Sequence, residues 1–424
     1  MFNQKNIITA VEIGTSQIAV LVGEVDKEGK VSVIGFHENP SNGAVCKGEI
    51  CDMDHLLEIL TETIKAADQD SGYNIGKSSI YVAVTSSNIT AQQGHGIVYI
   101  AAPDHKVTDK DVEHAIKDAT SKYVKSDRVH LGTFDSFFRL DDNRKVFNPL
   151  KQKASRLEAN VHLLYGDEKR IDNFKTAIYD AGFDQPAVPI FSPIADLFGL
   201  LSEEEKELGI LSVNMGAGTT EYVVVYNFGV MLSGVLPIGF EHLANDLSLG
   251  LNLHINSCRK LLMEPTIAEH QRDGASHIII HEKNLSGGRQ IPMRSIEQII
   301  ELRLRETFGI VKMRVEQEGL TKQLGRGTIF TGGAALFEPA VTIFKRVFEM
   351  PVRIGHPFEA SGAISDLNNP RYSTLWGLLK CGELNHKMSS KRETNLGGLL
   401  ADGLGNAADS IFQKLGLIKR SIKF

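Results

Sequence analysis

Three glycine-containing turns, each following an apolar run, carry the residues of this sequence that are best suited to bind a ligand. They are Gly14-Thr15-Ser16, Gly216-Ala217-Gly218-Thr219-Thr220 and Gly332-Gly333-Ala334. Glycine lets the backbone approach a ligand closely, and successive N–H groups with nearby hydroxyls form an anion-binding cradle. We expect the first two turns to face each other across the phosphates of a nucleotide, with the third leaving room for the base. Any one of these glycines alone is more often an ordinary turn, so the hypothesis rests on all three in this order.

The residues around the turns predict strands that alternate with helices, an α/β architecture. Apolar spacing indicates helices over 54–68, 108–119, 295–318 and 338–349, the first capped by Asp52 or Asp54. We interpret PIADLFGLLSEEEKELG as one helix that ends at Gly209. VEIGTS and VNMGAGTT repeat one pattern of strand, glycine turn and hydroxyl residue, which suggests two related halves.

One uncharged stretch, Tyr222 to Phe240, approaches the length of a membrane-spanning helix. It is interrupted by Asn227, Gly229 and Pro237, and its first half is β-branched and aromatic. Two strands joined by a turn at 227–229 explain it better.

Composition places the chain among folded proteins. Its 424 residues are 42% hydrophobic and 23% charged, with a formal net charge of -6. A mildly acidic chain gives no reason to expect nucleic acid as a partner. The N-terminus lacks the pattern of a secretory signal, and the four cysteines form no Cys-x-x-Cys pair. We therefore expect free thiols in a reducing cytoplasm.

The composition changes again at Lys387, where a polar, glycine-rich stretch over 387–405 predicts a flexible linker. Residues 406–424 predict an amphipathic helix with basic residues beside an apolar face, the profile of a helix at a membrane surface. The alternative is a terminal helix packed on the protein's own core. The residues assigned to membrane binding are Ile411, Phe412, Lys414, Leu415, Ile418, Lys419, Ile422 and Lys423.

The order VEIGTS, VNMGAGTTE, TIFTGGAALFEP resembles the two phosphate loops and the adenosine loop of the actin, Hsp70 and sugar-kinase superfamily. Longer stretches narrow this likeness, among them RLEANVHLLYG, SGVLPIGFEHLANDLSLGL and TGGAALFEPAVTIFKRVFEMPVRIGHP. They are similar to the bacterial cell-division family FtsA, from about residue 7 to 383 and again over the tail.

The resemblance implies an actin-like, two-lobed ATPase fold with an FtsA-type inserted subdomain and a C-terminal amphipathic helix. It assigns residues 1–83, 166–195 and 365–386 to subdomain 1A, 84–165 to inserted subdomain 1C, 196–241 and 321–364 to subdomain 2A, and 242–320 to subdomain 2B. We expect the inserted subdomain to be a separable unit used for self-association or recruitment.

The resemblance also implies a function: ATP binding between the lobes, filament formation, and tethering of FtsZ filaments to the cytoplasmic face of the cell membrane at the division site. Recruitment of downstream division membrane proteins would follow. In this sequence it adds Lys260 to the nucleotide-binding residues and places Arg303 and Glu306 where the family binds the FtsZ C-terminal peptide.

Three positions depart from the family, which usually has aspartate where this chain has Glu12, Asn214 and Glu221. Those acids organise magnesium and water, and Mg²⁺ tolerates little change in geometry. Glu12 and Asn214 remain candidates for magnesium binding. We expect ATP to bind and the chain to be at most a slow ATPase.

Two other functions on the same fold stay open. A sugar or acyl-phosphate kinase would need a further catalytic acid and a substrate pocket, and the altered acids disfavour efficient phosphoryl transfer. An actin-like pilus-assembly protein would not be expected to carry the basic tail helix.

Overall fold

A computed structural model describes residues 6–123, 127–141, 143–263, 276–280, 288–358, 360 and 367–394, with side chains described up to residue 387 in the last helix. The strands, in chain order, are β1 (Ile7–Ile13), β2 (Gln17–Val25), β3 (Val31–Pro40), β4 (Val45–Cys46), β5 (Glu49–Ile50), β6 (Ser79–Val84), β7 (Thr90–Tyr99), β8 (Arg128–Leu140), β9 (Arg144–Val146), β10 (Arg156–Asp167), β11 (Val188–Phe191), β12 (Ile210–Met215), β13 (Thr220–Tyr226), β14 (Gly229–Leu236), β15 (His277–Ile280), β16 (Arg289–Pro292), β17 (Thr328–Thr331) and β18 (Val352–Ile354). The helices are α1 (Met53–Ser71), α2 (Asp109–Ser121), α3 (Glu168–Asp180), α4 (Ser192–Leu200), α5 (Glu203–Leu208), α6 (Glu241–Leu251), α7 (Ile255–Met263), α8 (Met293–Gln317), α9 (Glu338–Phe348) and α10 (Ser373–Thr394).

Two five-stranded sheets share one topology, β11-β6-β1-β2-β3 and β18-β17-β12-β13-β14. In each, the middle strand pairs antiparallel with the strand that follows it and parallel with a later strand on its other side. VEIGTS and VNMGAGTT therefore occupy the same place in their sheets, the end of the middle strand. The prediction of two related halves is confirmed, and the two sheets with their helices are called the first and second lobe.

The two lobes contain two large apolar cores. Leu56 of α1, Ile194 of α4 and Trp376 of α10 belong to the core of the first lobe, which extends to one face of the second sheet through Ile210 and Ile329. Leu243 of α6 and Phe308 of α8 belong to the core of the second. The uncharged stretch Tyr222 to Phe240 is predicted to form two strands, and this is confirmed. Strands β13 and β14 are joined by a tight turn in which Asn227 and Phe228 have φ of 48° and 63°.

Helices α4 and α10 cross in direct backbone contact between the lobes. A Cβ on Gly377 would come within 2.0 Å of the carbonyl oxygen of Ala195, and one on Gly199 within 2.7 Å of that of Ser373. Helix α4 also contacts β12 and β13 of the second lobe. The two lobes therefore both pack near the point where α4 and α10 cross.

The third sheet, β7-β10-β8-β9, is formed within the region expected to be the inserted subdomain, where α2 packs against β7 so closely that only glycine fits at residue 96. The subdomain also contacts edge strand β14 of the second lobe. Ser136 Oγ donates to the carbonyl of Val230 at 2.6 Å, and Gln93 Nε2 donates to that of Met231 at 3.0 Å. His162 Nε2 and Ser233 Oγ lie 2.7 Å apart.

Two sequence interpretations are wrong. PIADLFGLLSEEEKELG forms two helices, α4 and α5, because Ser202 caps α5 and its hydroxyl and N–H pair with Glu205 in a capping box. The linker expected from residue 387 does not begin there, because α10 continues to Thr394 and Lys387 pairs with Glu383 one turn earlier.

Candidate functional site

The first glycine turn is closed by a hydrogen bond from Gly14 N to the carbonyl of Gln17 at 2.8 Å. Thr15 Oγ1 accepts from the backbone N–H of Gly48 at 3.1 Å, and Ser41 Oγ donates to the carbonyl of Thr15. The hairpin β4–β5 therefore supports this turn from outside the sheet. Ser16 is exposed.

The second turn, between β12 and β13, is closed by Gly216 N donating to the carbonyl of Thr219 at 2.9 Å. A Cβ on Gly218 would lie 2.3 Å from Thr15 Oγ1 and 2.8 Å from Lys47 Cα. The structure thus brings the first and second turns into contact across the lobes, the arrangement expected of a phosphate clamp. Ala217 accepts through its carbonyl from Glu241 N at 2.9 Å, which fixes the turn to the start of α6.

The third turn lies beside the end of β12. Gly332 has φ of 85°, its N–H donates to the carbonyl of Pro370 at 3.2 Å, and a Cβ there would collide with Asn214 Oδ1. Gly333 has open space, with Arg371 Cγ at 4.0 Å as the nearest neighbour of an added Cβ, and Ala334 is buried. This is compatible with a bulky group near Gly333.

Lys260 is exposed on α7. Among the described residues, it makes no hydrogen bond or ion pair with the three glycine turns. The structure therefore leaves Lys260 without a described link to the cleft.

Three carboxylates influence one another at the bottom of the cleft. Burial, then the charges of Glu221 and Asp196, raises the pKa of Glu12 to about 8, against the opposing effect of Arg371. Burial also raises the pKa of Glu221, although Thr85 Oγ1 donates to it at 2.5 Å and Thr219 Oγ1 at 2.8 Å. Glu12 Oε2 is enclosed and has no hydrogen-bond partner among the described residues.

Asn214 and Asp196 are joined across the lobes. Asn214 Nδ2 donates to Asp196 Oδ2 at 2.8 Å and to Thr374 Oγ1 at 3.2 Å. Thr374 Oγ1 donates to Asp196 Oδ1 at 2.9 Å. Sequence reasoning missed Asp196 and Thr374. An acidic residue inside the apolar run PIADLFGLL was the signal that could have found Asp196, because an ionised group in a buried helix needs a partner.

Glu12 and Asn214 can each be considered as magnesium ligands through oxygen. Glu12 Oε2 has no hydrogen-bond partner among the described residues, and the hydrogen bonds of Asn214 to Asp196 and Thr374 use its amide nitrogen, which does not bind metals. Over the described residues, no three His, Cys, Asp or Glu side chains are grouped as metal ligands. Magnesium commonly binds one or two carboxylates together with phosphate oxygens, so this site would need the nucleotide to complete it.

Arg303 and Glu306 lie on α8 and contact each other, with Arg303 Nη1 2.6 Å from Glu306 Oε2. Arg303 is also held by Asp246 of α6, through Nε at 2.5 Å and Nη2 at 3.1 Å. Two large apolar side chains of the same two helices, Leu249 and Leu302, are 74% and 62% exposed. Sequence reasoning missed Asp246, which fixes the guanidinium of Arg303 at this surface.

The eight residues assigned to membrane binding, 411–423, lie outside the described part of the chain. Among the described helices, none combines the length and the apolar character needed to span a membrane.

Comparison with known proteins gives two family matches. One family is described as "Cell division protein FtsA" and matches residues 211–377, and the other as "SHS2 domain inserted in FTSA" and matches residues 86–165. The chain is 28% identical over 377 residues to the cell division protein FtsA of Pseudomonas aeruginosa, covering 89% of each chain. It is 28% identical over 394 residues to that of Escherichia coli, covering 90% of this chain and 91% of the relative.

Two solved structures are similar in fold. The PilM–PilN type IV pilus biogenesis complex matches with a TM-score of 0.56 at 14% identity, covering 88% of this chain and 97% of that chain. MreB5 of Spiroplasma citri bound to ADP matches with a TM-score of 0.52 at 12% identity, covering 93% and 100%. The fold is actin-like, with an inserted subdomain of the SHS2 type.

Proposed function

We propose that this chain, which belongs to the FtsA family of cell-division proteins, is a filament-forming scaffold on the cytoplasmic face of the cell membrane at the division site. It tethers FtsZ filaments there and recruits later division membrane proteins. The similarity to named cell-division proteins over about nine-tenths of the chain supports this role. The chain is then chiefly a nucleotide-binding scaffold rather than an enzyme.

The nucleotide is ATP or ADP, held between the lobes. The observation that carries this proposal is the contact of Thr15 with Gly218, which sets two backbone cradles opposite each other. MreB5 of Spiroplasma citri, which is similar in fold, has been solved bound to ADP. When bound, ATP with magnesium would supply a transferable phosphoryl group, and Glu12 and Asn214 would hold the ion or its water.

Hydrolysis is slow in this proposal. Glu221 is buried and Glu12 is half-buried, and the pKa values of both are raised, so each holds its proton more firmly than an ordinary carboxyl does. Asn214, which has no charge, is turned toward Asp196. A base that is protonated or turned away activates water poorly.

The FtsZ C-terminal peptide binds at the surface formed by α6 and α8. Exposed Leu249 and Leu302 offer apolar contact there, and Arg303 offers a cation. Membrane attachment through 406–424 rests on the sequence pattern alone. Each helix binds weakly, and a filament that presents many copies gains avidity.

Two other functions on this fold have less support. The likeness to the PilM–PilN complex is one of fold, and the family matches favour cell division over pilus assembly. A sugar kinase would phosphorylate a small molecule, which an assay with ATP and candidate sugars detects directly.

The test is electron microscopy of the protein on lipid monolayers containing anionic lipid, with ATP, with ADP and without nucleotide. We expect filaments on the lipid that depend on nucleotide, and none with a variant that ends at residue 405. Filaments that form equally well with and without nucleotide would contradict the proposal that nucleotide binding between the lobes controls assembly. A soluble, non-assembling protein that phosphorylates a sugar would overturn the scaffold proposal.

A further inference from the structure

Asp196 lies where three elements of the fold meet. It belongs to α4, its side chain is 1% exposed, and its two carboxylate oxygens accept hydrogen bonds from Asn214 of β12 and from Thr374 of α10. Because Asn214 Nδ2 also donates to Thr374 Oγ1, the three side chains form a closed ring of hydrogen bonds. This ring joins both crossing helices to the strand that ends in the second glycine turn.

A small movement of this ring of hydrogen bonds would also move the second glycine turn, residues 216–220. Asn214 precedes Gly216 by two residues, and α4 and α10 cannot slide independently, since their backbones touch at Gly199 and Gly377. A change in the ring therefore passes to the turn 216–220.

We propose that Asp196 is a positioning residue of the nucleotide site, which holds the second phosphate turn against the helix crossing and so sets the affinity for nucleotide. The inference rests on the nucleotide site proposed above. Asp196 lies on α4, outside the three glycine turns from which the nucleotide site is predicted.

The chemistry of the ring argues against simple packing. The carboxyl of Asp196 is buried, and taking a charged or polar group out of water costs free energy. An apolar side chain of similar size would fill the space without that cost. A carboxylate can accept from two donors at once through its two separate oxygens, one from each neighbouring element, which an apolar side chain cannot do.

The experiment exchanges the carboxylate at position 196 and the amide at position 214. Asn214→Asp places two carboxylates opposite each other and removes the amide donor of the hydrogen bond at 2.8 Å. Asp196→Asn replaces one of the two acceptor oxygens by an NH₂ donor, so residue 196 can no longer accept from Asn214 and Thr374 through separate oxygens. The double variant restores one amide and one carboxylate in reversed order. ATP and ADP affinity is measured by isothermal titration calorimetry on protein shown to be folded, and thermal unfolding is followed in parallel.

We expect each single variant to bind nucleotide about tenfold or more weakly, and the double variant to recover to within about threefold of wild type. Thr374→Val should weaken binding less and should not be rescued by the exchange. Asp180→Asn, an exposed residue at the end of α3, is the matched control and should bind as wild type does.

The possible outcomes separate the two proposals. Single variants that unfold at lower temperature but bind nucleotide with wild-type affinity would overturn the positioning role and leave Asp196 as a stabilising residue. A double variant no better than the singles would overturn the pairing argument. Wild-type protein that binds no nucleotide would overturn the nucleotide site itself, and this inference with it.

Discussion

Thr15 and Gly218 meet across the two lobes, so closely that a Cβ at position 218 would lie 2.3 Å from Thr15 Oγ1. The two residues are about two hundred positions apart in the chain and belong to the two turns that sequence reasoning paired. Their contact leaves no space for a larger residue at 218.

Gly218→Ala should force the turns apart and weaken both stability and nucleotide binding, because the neighbouring atoms include the backbone of Lys47, which cannot rotate away. Overpacking of this kind costs about 1–3 kcal/mol. Gly309→Ala is the control, since an added Cβ at this position of α8 would have no heavy atom within 4 Å. Urea unfolding and ATP titration compare the two, and equal behaviour would argue that the lobes do not close as described.

Glu12 should make the nucleotide-free protein less stable as pH rises. Its pKa is about 8 when folded, against 4.5 for an ordinary glutamate, so the folded chain binds this proton more tightly than the unfolded chain does. Stability from this group is complete below about pH 4.5 and is lost as pH rises through about 8. Glu12→Gln does not titrate, so its free energy of unfolding should fall less over that window.

The measurement is urea unfolding across this pH range in the presence of a chelator. Glu316→Gln, which changes an exposed glutamate of α8, should follow the wild-type curve. Parallel curves for wild type and Glu12→Gln would show that Glu12 is ionised at neutral pH.

Arg303→Glu should weaken binding of the FtsZ C-terminal peptide by about tenfold or more, because it removes a charge-assisted partner for a peptide carboxylate. It also breaks the pair with Asp246, so the fold of the variant must be checked by circular dichroism. Arg305→Glu makes the same charge change at a side chain that is 66% exposed on the same helix. Fluorescence polarisation that shows equal losses for both variants would indicate a general charge effect rather than a docking site.

Ile418→Glu should reduce binding to anionic liposomes about thirty- to hundredfold. The loss combines an aliphatic contact of about 1–2 kcal/mol with about 1 kcal/mol of repulsion from anionic lipid. Gln413→Glu, on the polar side of the same predicted helix, should cost only the repulsion. Co-sedimentation in which Gln413→Glu is the weaker binder would mean that the predicted stripe does not face the membrane.

His162 should stabilise the contact between the inserted subdomain and the second lobe. It is 2% exposed and bonded to Ser233, and burial lowers its pKa to about 4. His162→Ala should cost about 2–4 kcal/mol near neutral pH through the cavity and the lost partner. A histidine with a depressed pKa contributes stability above about pH 6.5 that is lost as pH falls towards 4, so the difference from wild type should narrow there.

His114→Ala, at an exposed position on α2, is the control and should unfold as wild type does. If His162→Ala is as stable as wild type, the inserted subdomain does not depend on β14, and the hypothesis of a separable unit for self-association or recruitment gains support.

Local sequence determined much of this protein. The cap at Asp52, the capping box of Thr108 and Asp111, and the turn at 227–229 follow from neighbouring residues, because helix ends and tight turns are satisfied by groups a few positions away. The two halves could also be recognised, since each repeats the same strand and glycine turn. The same local logic misjudged 192–208, where a capping box inside an apparently continuous pattern begins a second helix.

Only the tertiary structure decided which distant groups share a site. Asp196, Asn214 and Thr374 are separated by 18 and 160 residues along the chain and meet because α4, β12 and α10 converge between the lobes. Asp246 and Arg303 meet because α6 packs on α8. No short-range pattern encodes such pairs, since a buried polar group takes its partner from whichever element the fold brings beside it.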